Sequence, residues 1–225
     1  MSLAAEQRYA RQVLHWGAEK QRQIEQSSLL VAGVGGLGAT VSQLLVRAGI
    51  GRLYLVDDGV LDWPDLNRQT LYGEKDIGRA KLPLARERLK QINSATRISE
   101  LAGRIDGAFR VPAEVNGVAD CLDNYRSRFI LYRALAADTY FVHGGLSGDN
   151  GQVLTLQAGK SQPFDEIFAG AVQPEGSIPV TPDSVVIIAG LMVNELFNVL
   201  WGTPKLLDRC LVVGLADFSM AFLEI

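Results

Sequence analysis

The 225-residue chain predicts an α/β protein with a doubly wound, mainly parallel sheet and a C-terminal antiparallel extension. Three observations carry that expectation. Apolar runs of strand length alternate with segments of helical spacing over most of the chain. A glycine-rich turn joins the first such strand to the helix after it. Two short apolar runs then close the sequence.

Taken in order, "EQRYARQVLHWG" reads as a short helix in an N-terminal helical arm (1–27), with Arg8 and Arg11 three apart on one face. Ser28 to Ala32 is a buried strand entering the glycine turn, and Val41, Leu44, Leu45 and Ala48 follow at helical spacing. Gly49 and Gly51 end that helix, and "RLYLVDD" is a second strand, completing a βαβ unit with parallel strands. The helix "AKLPLARERLKQI" tolerates Pro83 because it lies in the first turn. A strand near Arg97 to Leu101, the strand "GVADCLDN", the helix "YRSRFILYRALAA", the strand "TYFVHGG" and an antiparallel strand "GQVLTLQ" finish a core spanning 28–158.

Residues 159–183 hold Pro163, Pro174, Pro179 and Pro182 and show no period, which predicts a long crossover-type loop. The apolar stretch Ser184 to Trp201 is about long enough to span a membrane. Asn194, Glu195 and Asn198 within it favour a buried helix instead. Two short strands in "CLVVGLADFSMAFLEI" complete the C-terminal part (184–225) of a single domain.

Composition narrows the function classes. With 22 Lys and Arg against 25 Asp and Glu the net charge is −3, which argues against a nucleic-acid partner. Cys121 and Cys210 form neither a CxxC pair nor a disulfide framework, and no signal sequence opens the chain. A cytoplasmic protein with no membrane partner is expected.

Gly33, Gly35, Gly36 and Gly38 fall in a G-x-G-x-x-G pattern after a strand and at the start of a helix. There glycine allows a tight turn and brings phosphate to the amides of a helix N-terminus. Asp57, at the end of the second strand, stands where an acid accepts ribose hydroxyls. The fold is therefore expected to be Rossmann-like and to bind an adenine nucleotide. NAD would call for a hydride-transfer pocket, and the second half offers a single histidine, His143, read as a partly buried residue making one hydrogen bond. ATP calls for cations near the phosphates and a carboxylate for Mg²⁺. Arg68, Lys81 at a helix N-terminus and Asp123 after the strand "VADC" supply both.

The motifs "RYARQ", "GVGGLG", "LVDD", "DLNRQTLY", "IGRAK" and "DCLDN" occur in an order and spacing that resemble the MoeB/ThiF/HesA adenylyltransferases, which activate ubiquitin-like and sulfur-carrier proteins. The resemblance runs from residue 8 to about 157 and more loosely through 184–201 and the last strands. It implies a homodimer that adenylates, with ATP and Mg²⁺, the C-terminal carboxylate of a small β-grasp carrier ending in Gly-Gly. It further implies Asn67, Arg68 and Lys81 as triphosphate contacts, Asp123 as the magnesium acid with Asn124 beside it, and Arg11 as a residue reaching into the partner subunit's site.

Three features depart from the family pattern. Relatives commonly carry two CxxC pairs for structural zinc; "QPFDEIF" stands where the first would lie, so no zinc site is expected. The loop 159–183 has no cysteine, which implies a reaction that stops at the acyl-adenylate. Asp65 stands where the family usually has asparagine. A carboxylate there should repel a triphosphate unless Mg²⁺ or Arg68 neutralises it. Beside the active adenylyltransferase stand a non-catalytic or heterodimeric carrier-binding partner and, more distantly, an NAD-dependent oxidoreductase.

Overall fold

The computed structural model describes residues 3–172 and 176–225. Its core is one eight-stranded sheet in the order β3-β2-β1-β4-β5-β6-β7-β8. The parallel part comprises β1 (Ser28–Ala32), β2 (Arg52–Val56), β3 (Arg97–Glu100), β4 (Gly117–Asp120) and β5 (Tyr140–Ser147). The antiparallel extension comprises β6 (Asn150–Gln157), β7 (Arg209–Gly214) and β8 (Ser219–Glu224).

Successive side chains of a strand point to opposite faces, and the core divides accordingly. Leu29 and Val31 of β1 pack under α2 (Gly36–Ala48), α3 (Lys81–Ile92) and α6 (Pro182–Leu200). Leu30 and Ala32 face the other layer, under α4 (Tyr125–Arg133) and the single turn α5 (Phe164–Ile167). Helices on both faces make the sheet doubly wound, as its apolar runs predict. From β1 the chain moves out to β2 and β3, then crosses back to β4 and β5. The reversal opens a crevice at the carboxyl ends of β1 and β4, the place where open α/β sheets bind ligands.

Three expectations are corrected. The helix of the N-terminal arm is longer than "EQRYARQVLHWG": α1 runs Leu3–Gln26 with a break at Gly17, whose φ of 85° suits glycine. Trp16, just before the break, packs against Phe197 and Trp201, and beyond it Gln21 donates its amide to the Ala48 carbonyl at the end of α2. The segment 159–183 is not wholly a loop, because it contains α5 and its last two residues begin α6. Pro174 lies outside the described residues. His143 is fully buried and has two hydrogen-bond partners rather than one.

Helix α6 is apolar and long enough to cross a membrane by composition alone. It lies instead against the sheet, with Ile188, Ala189, Met192 and Leu196 buried. Its buried Glu195 takes the amides of Lys205 and Leu206 at 2.8 Å each, and so caps the turn that leads into β7. A carboxylate satisfied in this way costs little to bury.

The aromatic pair Phe164 and Phe168 closes the second face. Their rings pack on each other at 4.6 Å and reach Tyr125, Phe129, Phe141 and His143 at 5.0–6.0 Å. The stretch "QPFDEIF" thus anchors the crossover segment by apolar packing. Among the described residues no group of three or more His, Cys, Asp or Glu stands close enough to hold a metal.

Candidate functional site

The glycine turn leaves β1 at Gly33, whose φ of 86° is the left-handed conformation glycine adopts without strain. A Cβ there would stand 2.8 Å from the Cys121 carbonyl after β4, so the turn fits only a backbone without one. Val34 is clamped on both sides. Its amide donates to Asp57 Oδ2 at 2.7 Å, and its carbonyl accepts from the Tyr72 hydroxyl at 2.8 Å. Asp57 Oδ1 accepts from the Gly59 amide at 2.7 Å. Each oxygen keeps a second lone pair, so a half-buried Asp57 braces the turn and can still accept from a ribose.

The segment after β2 brings the cations to this turn. Asp62 caps a 3₁₀ turn over Trp63–Asp65, and Asp65 closes it by accepting the Asp62 amide at 3.1 Å. The Arg68 side chain then lies across the N-terminus of α2, where a Cβ on Gly36 would meet its Cδ at 3.4 Å. Its guanidinium donates to the Pro64 carbonyl and to Asn67 Oδ1, both at 2.9 Å. The Asn67 amide in turn donates to the Val180 carbonyl at 3.4 Å, linking the site to the end of the crossover segment. Lys81 opens α3, passes Gly59 and ends 3.0 Å from Asp65 Oδ2.

Asp65 is therefore the hub. Its Oδ1 accepts from Gln69 at 2.6 Å and lies 3.8 Å from Arg68, while Oδ2 faces Lys81. The carboxylate is neutralised by the protein's own cations, and Lys81 is the nearer of the two. Asp76, 2% exposed, fixes the approach to Lys81 by taking the Gly73 amide, Arg79 and Arg88. Burial opposes its charge, but the Gly73 amide and the two arginines outweigh that and hold its carboxyl below the usual carboxylate range.

Asp123 is exposed at the carboxyl end of β4, two residues beyond the carbonyl that touches Gly33. Its Oδ1 accepts from the Asn124 amide at 3.1 Å, and Asn124 caps α4 through the Ser127 amide. A single exposed carboxylate suits magnesium, which takes one or two carboxylates and completes its shell with phosphates and water. The structure thus gathers Gly33, Gly35, Gly36, Gly38, Asp57, Asp65, Asn67, Arg68 and Lys81 around one crevice, with Asp123 and Asn124 at the end of the adjacent strand.

Arg11 is not brought there. It is exposed on α1, whose neighbours Gln12 and Tyr9 bond Ala48 and Asn93 at the far ends of α2 and α3. It lies by the C-terminal end of α2, the opposite end of that helix from the glycine turn. His143, 0% exposed, cannot reach a bound substrate and offers no acid or base for hydride chemistry. Burial pushes the Cys121 and Cys210 thiols above their ordinary range, away from the nucleophilic thiolate. Tyr72, Gln69 and Asp76 escaped the sequence reading. Tyr72 lies inside "DLNRQTLY", and a phenol in a polar run beside a glycine turn is the one signal that pointed to it.

A sequence model of the ThiF family matches residues 9–224. The sulfur carrier protein adenylyltransferase of Thermus thermophilus is 29% identical over 213 residues, covering 88% of this chain and 79% of that protein. The sulfur carrier protein ThiS adenylyltransferase of Escherichia coli is 33% identical over 66% of this chain, and the alignment spans 61% of it. Its Bacillus subtilis counterpart is 29% identical over 68% of this chain, spanning 48% of its own length. Among solved structures, E. coli MccB with ATP superposes over 96% of this chain and 70% of its own with a TM-score of 0.85 at 20% identity. PaaA superposes over all of this chain and 75% of its own with a TM-score of 0.84 at 22% identity. At these identities the likeness is one of fold.

Proposed function

The chain belongs to the ThiF family, and on that footing we propose that it adenylates the C-terminal carboxylate of a small sulfur-carrier-type, ubiquitin-like protein with ATP. The observation that carries the proposal is the set of cations at the glycine turn. Arg68 lies over the N-terminus of α2 and Lys81 converges on the same carboxylate, Asp65. A nicotinamide site has no need of such a pair. Relatives named as sulfur carrier protein adenylyltransferases support the carrier as substrate.

The chemistry suits these residues. A carrier carboxylate is ionised at neutral pH, so its attack on the α-phosphorus needs no protein base. One carboxylate oxygen forms the new P–O bond as the bond to the pyrophosphate oxygen breaks. What the reaction demands is alignment of two anions and stabilisation of spreading negative charge. The amides of the glycine turn receive the phosphates, Asp57 orients the ribose, and Asn67, Arg68 and Lys81 hold the triphosphate. Magnesium, held by Asp123 beside Asn124, supplies further neutralisation when bound.

We assign to Arg11 a role in the site of a second copy, since it lies at the far end of α2 from its own, and take the active form to be a homodimer. With both thiols raised by burial, the product is the acyl-adenylate, with no thioester on this chain. Thermal unfolding tests the nucleotide, because a ligand of the native state raises the midpoint. ATP with Mg²⁺ should stabilise the protein and NAD should not. Stabilisation by NAD alone would reverse the conclusion.

A further inference from the structure

Beneath the site lies a buried polar cluster to which the adenylation chemistry assigns no part. Asp120 ends β4, His143 sits beside it on β5, and both are 0% exposed. Asp120 Oδ2 accepts the Nδ1–H of His143 at 2.7 Å, and Oδ1 accepts the Leu122 amide at 3.1 Å. Arg128 of α4 comes within 3.5 Å of Asp120 Oδ2, donates to the Leu122 carbonyl and reaches the Gly144 carbonyl at 3.3 Å. Both polar groups of the Leu122 peptide are thus held, one by Asp120 and one by Arg128. The next residue is Asp123.

The far side of His143 is bonded too. The Gln152 amide donates to His143 Nε2 at 3.1 Å, which fixes a neutral ring protonated on Nδ1. Phe164 and Phe168 cover the ring at 5.0 and 5.5 Å. Asp120 and Arg128 cancel in charge, so the group is neutral as a whole. Burial on this scale favours a single geometry, because moving any of the bonded groups leaves a buried polar atom unpaired. Arg128 Nε, 3.5 Å from Asp120 Oδ2, already lacks a hydrogen bond among the described residues.

We propose that His143 and Arg128 are positioning residues that act through Asp120 and the backbone of Leu122 to hold the Asp123 carboxylate in the orientation in which it would bind magnesium. The proposal rests on the adenylation reading and assigns the magnesium demand of the site to a network that never touches substrate. Partners that orient a ligating carboxylate typically carry ten- to a hundredfold in metal affinity.

The test is calorimetric titration of ATP into the full chain at a series of Mg²⁺ concentrations, with folding checked by circular dichroism. His143→Leu fills the space but removes the donor to Asp120; it should raise the Mg²⁺ needed for half-maximal ATP affinity by roughly tenfold. ATP binding without Mg²⁺ should stay unchanged. His143→Asn keeps an N–H at the Nδ1 position and should restore magnesium demand to within about threefold of wild type. Arg128→Lys keeps the charge but cannot span both carbonyls, and should shift the magnesium demand as His143→Leu does.

A folded His143→Leu or Arg128→Lys protein with unchanged magnesium demand overturns the assignment. So does failure of both to fold, which would make the network structural. Wild-type binding of ATP–Mg²⁺ without adenylation of any carrier would sink the adenylation reading alone; absence of ATP–Mg²⁺ binding would sink both.

Discussion

The Lys81 ammonium lies 3.0 Å from Oδ2 of Asp65, with the two side chains only 13% and 15% exposed. The site therefore carries an anion of its own, and an incoming triphosphate must compete with it for Lys81 and Arg68. Asp65→Asn removes that competitor. It should tighten ATP–Mg²⁺ binding by roughly tenfold, about 1.4 kcal/mol. It should also lower the ligand-free unfolding midpoint, because an unpaired, largely buried ammonium costs about 1–3 kcal/mol. Titration calorimetry and thermal unfolding read the two effects; weaker binding would mean that Asp65 serves the metal.

Arg68 is predicted to contribute to the reaction more than to the fold. Its contacts are to a nearby carbonyl, Asn67 and Asp65, all in a quarter-exposed setting. Arg68→Ala should reduce carrier-dependent ATP–pyrophosphate exchange by roughly 10²- to 10³-fold, the usual loss for one transition-state donor. The unfolding midpoint should stay close to wild type. Exchange within about tenfold of wild type contradicts the assignment.

Tyr72 is predicted to act on the glycine turn. Tyr72→Phe keeps the ring and leaves the Val34 carbonyl without its hydroxyl donor. The expected loss is about 1–3 kcal/mol of stability in urea unfolding, accompanied by weaker ATP binding because the amides of the turn lose their bracing. Unchanged nucleotide affinity would show that the Asp57 contact alone fixes the turn.

The crossover segment should depend on aromatic packing and not on a metal. Phe164→Ala should cost about 3–5 kcal/mol, since Phe164 is 0% exposed within the ring cluster. Dialysis against EDTA should leave the unfolding midpoint where it is. A fall on chelation would expose a structural metal.

His143 gives the stability a pH dependence of known sign. Burial, reinforced by Arg128, lowers its pKa below the ordinary 6.5 despite the pull of Asp120. In the pH range between the lowered value and 6.5 the unfolded chain binds more protons than the native one, so stability falls as pH drops below about 6.5. His143→Asn should flatten that part of a pH–midpoint curve. An unchanged slope would trace it to other groups.

Much of this was legible in the residues. The βαβ unit, the parallel core and the antiparallel end follow from period-2 and helical patterns that burial on two faces imposes. The glycine turn, Asp57, Arg68 and Lys81 are legible as residues of one crevice, and the structure brings them together there. The state of Asp65 was not legible. Its neutralisation depends on Lys81, 16 positions away in sequence, and only the turn around Trp63–Asp65 and the Asp76-braced segment bring the two together. His143 was misjudged for a like reason: a histidine at a strand end reads as half-exposed until α4, α5 and β6 close over it. The length of α1 is hidden because Gly17 reads as a stop, whereas Gln21, bonded to the end of α2, and the buried Ile24 hold the chain beyond it.

The most direct measurement is intact-mass spectrometry of small β-grasp carriers ending in Gly-Gly, incubated with the protein, ATP and Mg²⁺. One carrier should gain a single AMP on its C-terminal carboxylate and release pyrophosphate, with the adduct lost in Arg68→Ala. If a protein that binds ATP–Mg²⁺ leaves every such carrier unmodified, adenylation is not its reaction.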